Sequence, residues 1–164
     1  MTGPKPWPYV VVAATAHGAQ RNSAPLGKPD VLQHGTWAAV GYAVTALKVS
    51  HLIVMGHSGC GGVEGCYNMC SGHAPQLEDK ASFVGRWMDI LRPGFDRLPE
   101  GDDDTRKQAL EKEAVLVSLE NLMTFPFVKA AVEAEELSLH GIWNEIGEGE
   151  LETYDPLTST FHKI

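Results

Sequence analysis

The sequence predicts one α/β domain, with a central, mostly parallel β-sheet flanked by helices. Segments with helical periodicity alternate with short apolar runs, and this alternation is typical of strands that are joined by crossover helices. Two of the runs, residues 9–14 and 51–56, are almost continuously apolar, as expected for strands buried on both faces of a parallel sheet. The chain has 164 residues, 43% of them hydrophobic, which suits a single domain with its own core.

In the first half of the chain, two strands are predicted on either side of one helix. Tyr9–Ala14 is rich in β-branched residues and predicts the first strand. Residues 17–35 contain several prolines and glycines and predict a loop. Thr36 is the expected N-cap of a helix that continues to about Val49, and residues 51–56 then form an interior strand of the sheet.

The second half of the chain predicts helices followed by a small group of strands. The helical patterns cover residues 61–72, 77–91, 105–122 and 127–135. Pro126 separates the last two helices because proline cannot continue a helix. The period then changes to that of a strand over residues 137–143. Residues 151–154 and 159–161 predict a terminal hairpin across Asp155-Pro156.

Composition and charge exclude several classes of partner. The formal net charge of −8 disfavours nucleic acid and anionic membranes, because both would repel the chain. No apolar stretch approaches the ~20 residues that span a bilayer, and the N-terminus lacks the basic start and the cleavage site of a secretory signal. Three cysteines, an odd number, do not make a disulfide framework, so we expect a reducing, cytoplasmic location.

The most informative segment is the glycine-rich turn Gly56–Val63, which follows the second predicted strand. The carboxyl ends of buried strands are where open α/β sheets place their ligand sites. A phosphate-binding P-loop fails here because Gly62 and Val63 replace its Lys and Ser/Thr. A nucleophile elbow fails because Cys60 replaces its last glycine, and a dinucleotide fingerprint fails because Glu64 replaces its third glycine.

What remains in this turn is the pair His57-x-x-Cys60. Imidazole nitrogen and thiolate sulfur are ligands that zinc prefers, and a tight turn lets residues at this spacing face one point. The glycines around them leave room for a metal ion and a small substrate. The alternative is that the two side chains only cap and pack the turn, and the spacing alone leaves both interpretations open.

The longer stretch Ala46–Val63 resembles the β-class carbonic anhydrases, in which a hydrophobic strand ends in Gly-His-x-x-Cys-Gly-Gly. The resemblance extends from Arg21 to Phe161. The further segments that resemble the family are the pair Arg21-Asn22 and residues 118–122, 126–128, 139–143 and 149–151. Residues 1–20 do not resemble the family. The resemblance therefore divides the chain into an atypical N-terminal segment, residues 1–20, and a β-carbonic anhydrase-like domain, residues 21–164.

The resemblance implies a zinc enzyme that interconverts carbon dioxide and bicarbonate and that assembles as a homodimer or a larger homo-oligomer. In the family, two cysteines and one histidine hold the zinc ion. His57 and Cys60 match two of these ligands. The third belongs to a Cys-x-Asp-x-Arg motif, whose Asp orients the reacting water and whose Arg holds the Asp. This motif is absent from the sequence, and all three cysteines, Cys60, Cys66 and Cys70, follow His57.

Three interpretations of function stay open from the sequence. The first is carbonate dehydratase activity, impaired because a ligand and the Asp–Arg pair are missing. The second is a truncated or degenerate relative, not catalytic, that keeps the fold and pairs with an intact homologue. The third is the same chemistry on carbon disulfide or carbonyl sulfide. Cys66 and Cys70 lie one helical turn apart and are expected to share a helix face as packed residues rather than to replace the missing ligand.

Overall fold

The computed structural model describes residues 9–13, 35–79 and 83–164, with the side chains described from residue 37 onward except that of Phe83. The strands are β1 (Tyr9–Ala13), β2 (His51–His57), β3 (Ser138–Glu145), β4 (Glu150–Asp155) and β5 (Thr160–Lys163). The helices are α1 (Gly35–Thr45), α2 (Gly61–Cys70), α3 (Phe83–Asp89), α4 (Arg92–Phe95), α5 (Asp103–Leu122) and α6 (Pro126–Glu133), with a short 3₁₀ turn over Pro75–Glu78. The predicted loop lies outside the described residues except for Gly35, as does the pair Arg21-Asn22.

The strands form one five-stranded sheet in the order β1-β2-β3-β4-β5. β1, β2 and β3 run parallel, and the hairpin β4–β5 adds two antiparallel strands at one edge. The predicted α/β class, the interior position of β2 and the terminal hairpin are confirmed. The sheet is mixed, because its parallel part is limited to the three strands that helical crossovers connect. β1 lies in the segment 1–20 and is nevertheless part of this sheet.

Helix α5 packs directly against β2 and β3, and two glycines make this close approach possible. A Cβ atom on Gly56 would lie 2.7 Å from Cγ2 of Val115, and one on Gly141 would lie 2.9 Å from Cγ1 of the same valine. Leu52 and Val54 point to the same face of β2 and are fully buried there. The fit of Val115 between two glycines therefore sets the distance of α5 from the sheet, and with it the position of the carboxyl end of β2.

The cap at the start of α5 and the break after it follow the sequence. Asp102 is the N-cap of α5, and its carboxylate accepts the N–H of Thr105 at 2.8 Å. The helix thus begins two residues before the predicted Thr105. α6 begins at Pro126, and the two helices are bent by 89° at the break.

No single helix in the described part of the chain is long and apolar enough to cross a membrane. Only the bent pair α5–α6, taken together, reaches that length and composition.

Two predicted helices differ from the structure. Thr36 is not an N-cap, because α1 begins at Gly35, and α1 ends at Thr45 rather than near Val49. Lys48 has a left-handed backbone, with φ of 53°, which a continuing helix does not accommodate. The prediction of a single helix over residues 77–91 is also wrong. Pro75 begins a 3₁₀ turn that ends at Glu78, and α3 covers only Phe83–Asp89.

Candidate metal centre

The candidate centre lies in the turn between β2 and α2, at the carboxyl end of the parallel strands. His57 is the last residue of β2, and Cys60 is the N-cap of α2. Gly59 between them has a φ of +66°, in the left-handed region that glycine adopts without strain. His57 is half-buried and Cys60 is buried, with 3% of its surface exposed. The predicted strand–turn–helix context of the His57-x-x-Cys60 pair is therefore present.

A hydrogen bond to the main chain fixes the ring of His57. Its Nδ1 lies 2.7 Å from the carbonyl oxygen of Ser58. Because a carbonyl oxygen only accepts, Nδ1 must carry the proton in this bond, and Nε2 of the neutral ring then carries the lone pair. Metal-binding histidines are commonly oriented by a donated hydrogen bond of this kind. The geometry thus fits Nε2 as the coordinating nitrogen.

The backbone beside Cys60 is held by a carboxylate from helix α5. Oε1 of Glu111 accepts the N–H of Gly59 at 2.7 Å and that of Cys60 at 3.3 Å. Its other oxygen, Oε2, accepts the indole N–H of Trp143 at 3.3 Å. Glu111 has only 8% of its surface exposed. Burial raises the pKa of its carboxyl group, although the three hydrogen bonds and nearby His57 oppose this increase.

A second carboxylate ties the turn to the end of β3. The hydroxyl of Ser58 donates to Oε1 of Glu145 at 2.7 Å and accepts the N–H of Ile146 at 2.9 Å. The N–H of Ser58 donates to the carbonyl of Asn144 at 2.9 Å, so the turn continues the parallel pairing of β2 with β3. Side chain and main chain together therefore fix the turn from two neighbouring elements, α5 and β3.

The two remaining cysteines lie further along α2. Sγ of Cys66 is 3.9 Å from Sγ of Cys70, which confirms that they share a helix face. Cys66 is fully buried in the same hydrophobic cluster as Cys60. Burial raises the pKa of both the Cys66 and the Cys70 thiols, with the neighbouring sulfur adding to the increase at Cys66. These thiols are held in their neutral form, as expected of packed cysteines.

Within residues 9–13, 35–79 and 83–164, no group of three or more His, Cys, Asp or Glu side chains is placed to hold a metal ion. The structure therefore brings His57 and Cys60 into one turn but adds no third side chain among the described residues. Their joint binding of zinc stays a prediction. Glu111 and Glu145 were not predicted from the sequence as residues of this site. One feature of the sequence could have indicated that Glu111 is buried: its spacing places it on the same helix face as Val115 and Ser118, which are both buried.

Comparison with known proteins identifies the family. The family model for carbonic anhydrase matches residues 15–151. The β-carbonic anhydrase 3 of Arabidopsis thaliana is 33% identical over 141 residues, which cover 82% of this chain and 54% of the relative. The chain belongs to the β-carbonic anhydrase family. Carbonic anhydrase 1 of Escherichia coli O157:H7 is 34% identical over 128 residues, 77% of this chain and 57% of the relative. The chain thus spans about half the length of these two carbonic anhydrases.

Solved β-carbonic anhydrases share the fold. The structure of CcaA has a TM-score of 0.75 at 23% identity and covers 98% of this chain and 79% of its own. The Coccomyxa β-carbonic anhydrase in complex with acetazolamide has a TM-score of 0.69 at 23% identity, over 92% of this chain and 73% of its own. A tetrameric enzyme from Sordaria macrospora has a TM-score of 0.66 at 21% identity, over 92% and 81%. The family match begins at residue 15, six residues before Arg21, and the division of the chain at residues 20 and 21 stays a prediction.

Proposed function

We propose that this β-carbonic anhydrase interconverts carbon dioxide and bicarbonate with zinc, and that His57 and Cys60 supply two of the zinc ligands. The observation that carries the proposal is the oriented ring of His57, three residues from a cysteine at the N-terminus of α2. A nitrogen and a sulfur donor form the set that zinc prefers, and the helix N-terminus favours a negatively charged ligand. Zinc bound there would supply Lewis-acid activation of water for attack on carbon dioxide.

The side chains around the pair support this role by fixing its geometry. Glu111 holds the N–H groups of Gly59 and Cys60, while Ser58 is bound to Glu145. A site held from both α5 and β3 keeps its ligands in place without a metal, which lowers the cost of binding one. The lack of a side chain on Gly59 leaves the approach to the turn open, because nothing lies within 4 Å of a Cβ placed there.

We further propose that the 164 residues on their own catalyse slowly. No cysteine precedes His57 in the sequence, and no Cys-x-Asp-x-Arg is present in it. Partners of metal ligands alone change affinity or activity by about 10–100-fold, and loss of a direct ligand must matter at least as much. The second candidate function is a non-catalytic relative that keeps the fold and pairs with an intact homologue.

The assembly that we propose is a homo-oligomer, a dimer or larger. Ile53, Met55 and Ile142 are half-buried and lie on the face of the sheet opposite the buried Leu52 and Val54. A partly exposed apolar sheet face is typical of an interface. Sedimentation velocity of the wild-type chain, of Ile53→Glu and of the exposed control Leu157→Glu tests this. We expect only Ile53→Glu to dissociate, and a monomeric wild type would contradict the assembly.

The metal and the activity are tested on the same protein sample. Zinc content and stopped-flow hydration of carbon dioxide are measured for the wild type, His57→Gln and Cys60→Ser, with Cys70→Ser as the matched cysteine control. We expect zinc to be lost in the first two variants and kept in the control. Zinc retained in both His57→Gln and Cys60→Ser would overturn the assigned ligands.

Two outcomes separate the candidate functions. Adding an N-terminal segment with Cys-x-Asp-x-Arg from an intact relative is expected to raise zinc content and turnover together, as slow catalysis requires. Co-purification of the unextended chain with an intact relative, without any gain in turnover per zinc, would instead support the non-catalytic role.

We also propose a cytoplasmic location, because all three cysteines are free thiols.

A further inference from the structure

Two histidines that are 89 residues apart in the sequence meet on the sheet, away from the candidate metal centre. Nδ1 of His51 lies 3.0 Å from Nε2 of His140, and the ring centroids are 5.1 Å apart. His51 begins β2, whereas His57 ends it, so the pair lies six residues, about 20 Å, from the centre at the rise of a strand. Nothing in the proposed hydration chemistry uses this pair.

The register of the parallel strands produces the contact. His51 is opposite Ser138, and Ile53 is opposite His140, so the histidines are diagonal neighbours on one face of the sheet. Both belong to regular strands, whose hydrogen bonds hold their Cα atoms at a fixed separation. The two rings are therefore brought together by the sheet itself, and only side-chain rotation is needed to adjust the distance between their nitrogens.

The separation of the two nitrogens suits a shared metal ion. Imidazole nitrogen binds zinc-like ions at about 2.0–2.1 Å, so nitrogens 3.0 Å apart subtend an angle of about 90–100° at such an ion. This is the angle between neighbouring ligands in the square-planar and tetragonal sites of Cu²⁺ and Ni²⁺. Burial and the neighbouring His51 lower the pKa of His140, which favours the neutral ring that metals require.

The pair is accessible to a hydrated ion. Both histidines are exposed in the single chain, and His51 lines an open cavity of about 880 Å³. They share a sheet face with Ile53 and Met55, at its amino end, so assembly through that face would compete with the ion for the pair. Among the described residues that line this cavity, one lysine and two glutamates are charged, and together they carry a net negative charge: Lys48, Glu135 and Glu136. Such a wall attracts a cation, and the open side leaves room for water as the remaining ligands.

We propose that His51 and His140 form a second metal site, which binds one divalent ion of the Cu²⁺ or Ni²⁺ type through two neighbouring imidazole nitrogens. One ring now donates its N–H to the other. On binding, that proton moves through solvent to the second nitrogen of the same ring, so two neutral rings bind the ion without net proton release. The ion joins β2 to β3 at the amino end of the sheet, and the inference does not depend on zinc at His57 and Cys60.

The test removes the candidate zinc ligands first. Full-length protein with both His57→Gln and Cys60→Ser is titrated with NiCl₂ by calorimetry, and we expect one Ni²⁺ ion per chain. Adding His51→Gln or His140→Gln is expected to weaken that binding by about 10–100-fold or more, since even indirect partners of a metal have effects of that size. The matched control is His162→Gln, on β5, whose ring lies 3.0 Å from Thr158 and 2.9 Å from Thr160.

The possible results are decisive in either direction. Absence of Ni²⁺ binding, unchanged affinity in His140→Gln, or equal weakening in the His162→Gln control would each overturn the site. Electron paramagnetic resonance of the Cu²⁺-loaded protein is an independent readout, with coupling to two imidazole nitrogens expected and coupling to fewer contradicting the proposal. If the double background does not fold, the same substitutions in the wild-type chain must remove one bound Ni²⁺ ion and leave its zinc content unchanged.

Discussion

Glu111 on helix α5 accepts the backbone N–H of Cys60 at 3.3 Å, although the two residues are 51 positions apart. The carboxylate is buried and also accepts N–H groups from Gly59 and Trp143. A buried acceptor that serves three donors on two other elements joins the candidate centre to the core of the domain. The position of Cys60 therefore depends on how α5 is seated on the sheet.

The first prediction concerns Glu111 itself. Glu111→Ala removes the acceptor from three N–H groups, and we expect a loss of about 2–4 kcal/mol in the free energy of unfolding. Glu111→Gln keeps one acceptor oxygen and is expected to lose less than half as much. The measurement is urea unfolding, with zinc content determined on the same samples. Glu120→Gln, an exposed substitution on the same helix, is the control and should cost under about 1 kcal/mol. Equal losses for Gln and Ala would contradict the role of the carboxylate as an acceptor.

The second prediction concerns the seat of α5 on β2. Gly56→Ala places a methyl group 2.7 Å from Val115 and should cost about 1–3 kcal/mol of unfolding free energy through overpacking. In the double variant with Val115→Ala, the alanine at position 56 has room. The double variant should therefore lose less unfolding free energy than the sum of the losses in the two single variants. Thermal or urea unfolding of both single variants and the double variant measures this coupling, expected at about 1 kcal/mol.

Gly59→Ala is the matched control for that cycle. No atom lies within 4 Å of a Cβ at Gly59, so its cost of about 1 kcal/mol comes only from the left-handed backbone. Because that strain does not involve Val115, the loss in Gly59→Ala should be additive with Val115→Ala. Non-additivity of the control pair, or full additivity of Gly56→Ala with Val115→Ala, would count against the packing argument.

The parts of this fold that follow from local sequence could be predicted, and those that depend on tertiary pairing could not. The apolar run of β2 and the break at Pro126 are local signals, and both are found in the structure. The helix predicted over residues 77–91 failed because Pro75 starts a 3₁₀ turn instead. At the site, His57 and Cys60 are three residues apart and visible as a pair. The contact of Glu111 with this turn could not be predicted from the sequence, because it forms only when α5 packs against the sheet.

The third prediction concerns the bond between Ser58 and Glu145. Ser58→Ala removes an acceptor from the N–H of Ile146 and a donor from the Glu145 carboxylate, at an expected cost of about 1–2 kcal/mol of unfolding free energy. Hydrogen exchange of the Ile146 amide should increase in this variant, since its partner is gone. Ser138→Ala is the control, an exposed serine at the opposite end of β3. Unchanged exchange at Ile146 in Ser58→Ala would show that the bond does not hold the turn.

The fourth prediction is a pH dependence that originates at His140. Burial first, and then the neighbouring His51, lower the pKa of His140 in the folded protein below its value in the unfolded chain. The folded state therefore favours the neutral ring. The stability linked to His140 is fully present above the unfolded pKa, about 6.5, and declines as the pH falls toward the lower folded pKa, because the unfolded chain takes up the proton first.

Carboxylates also titrate in acid, so the contribution of His140 to the free energy of unfolding must be isolated as a difference between two proteins. Urea unfolding of the wild type and of His140→Gln from pH 7.5 to pH 5 supplies it, and we expect the difference between them to shift against the wild type as the pH falls. His51→Gln removes one of the two causes, so its own profile should lie between those of the other two proteins. Parallel profiles for wild type and His140→Gln would mean that the ring takes up its proton equally well in the folded and unfolded chains.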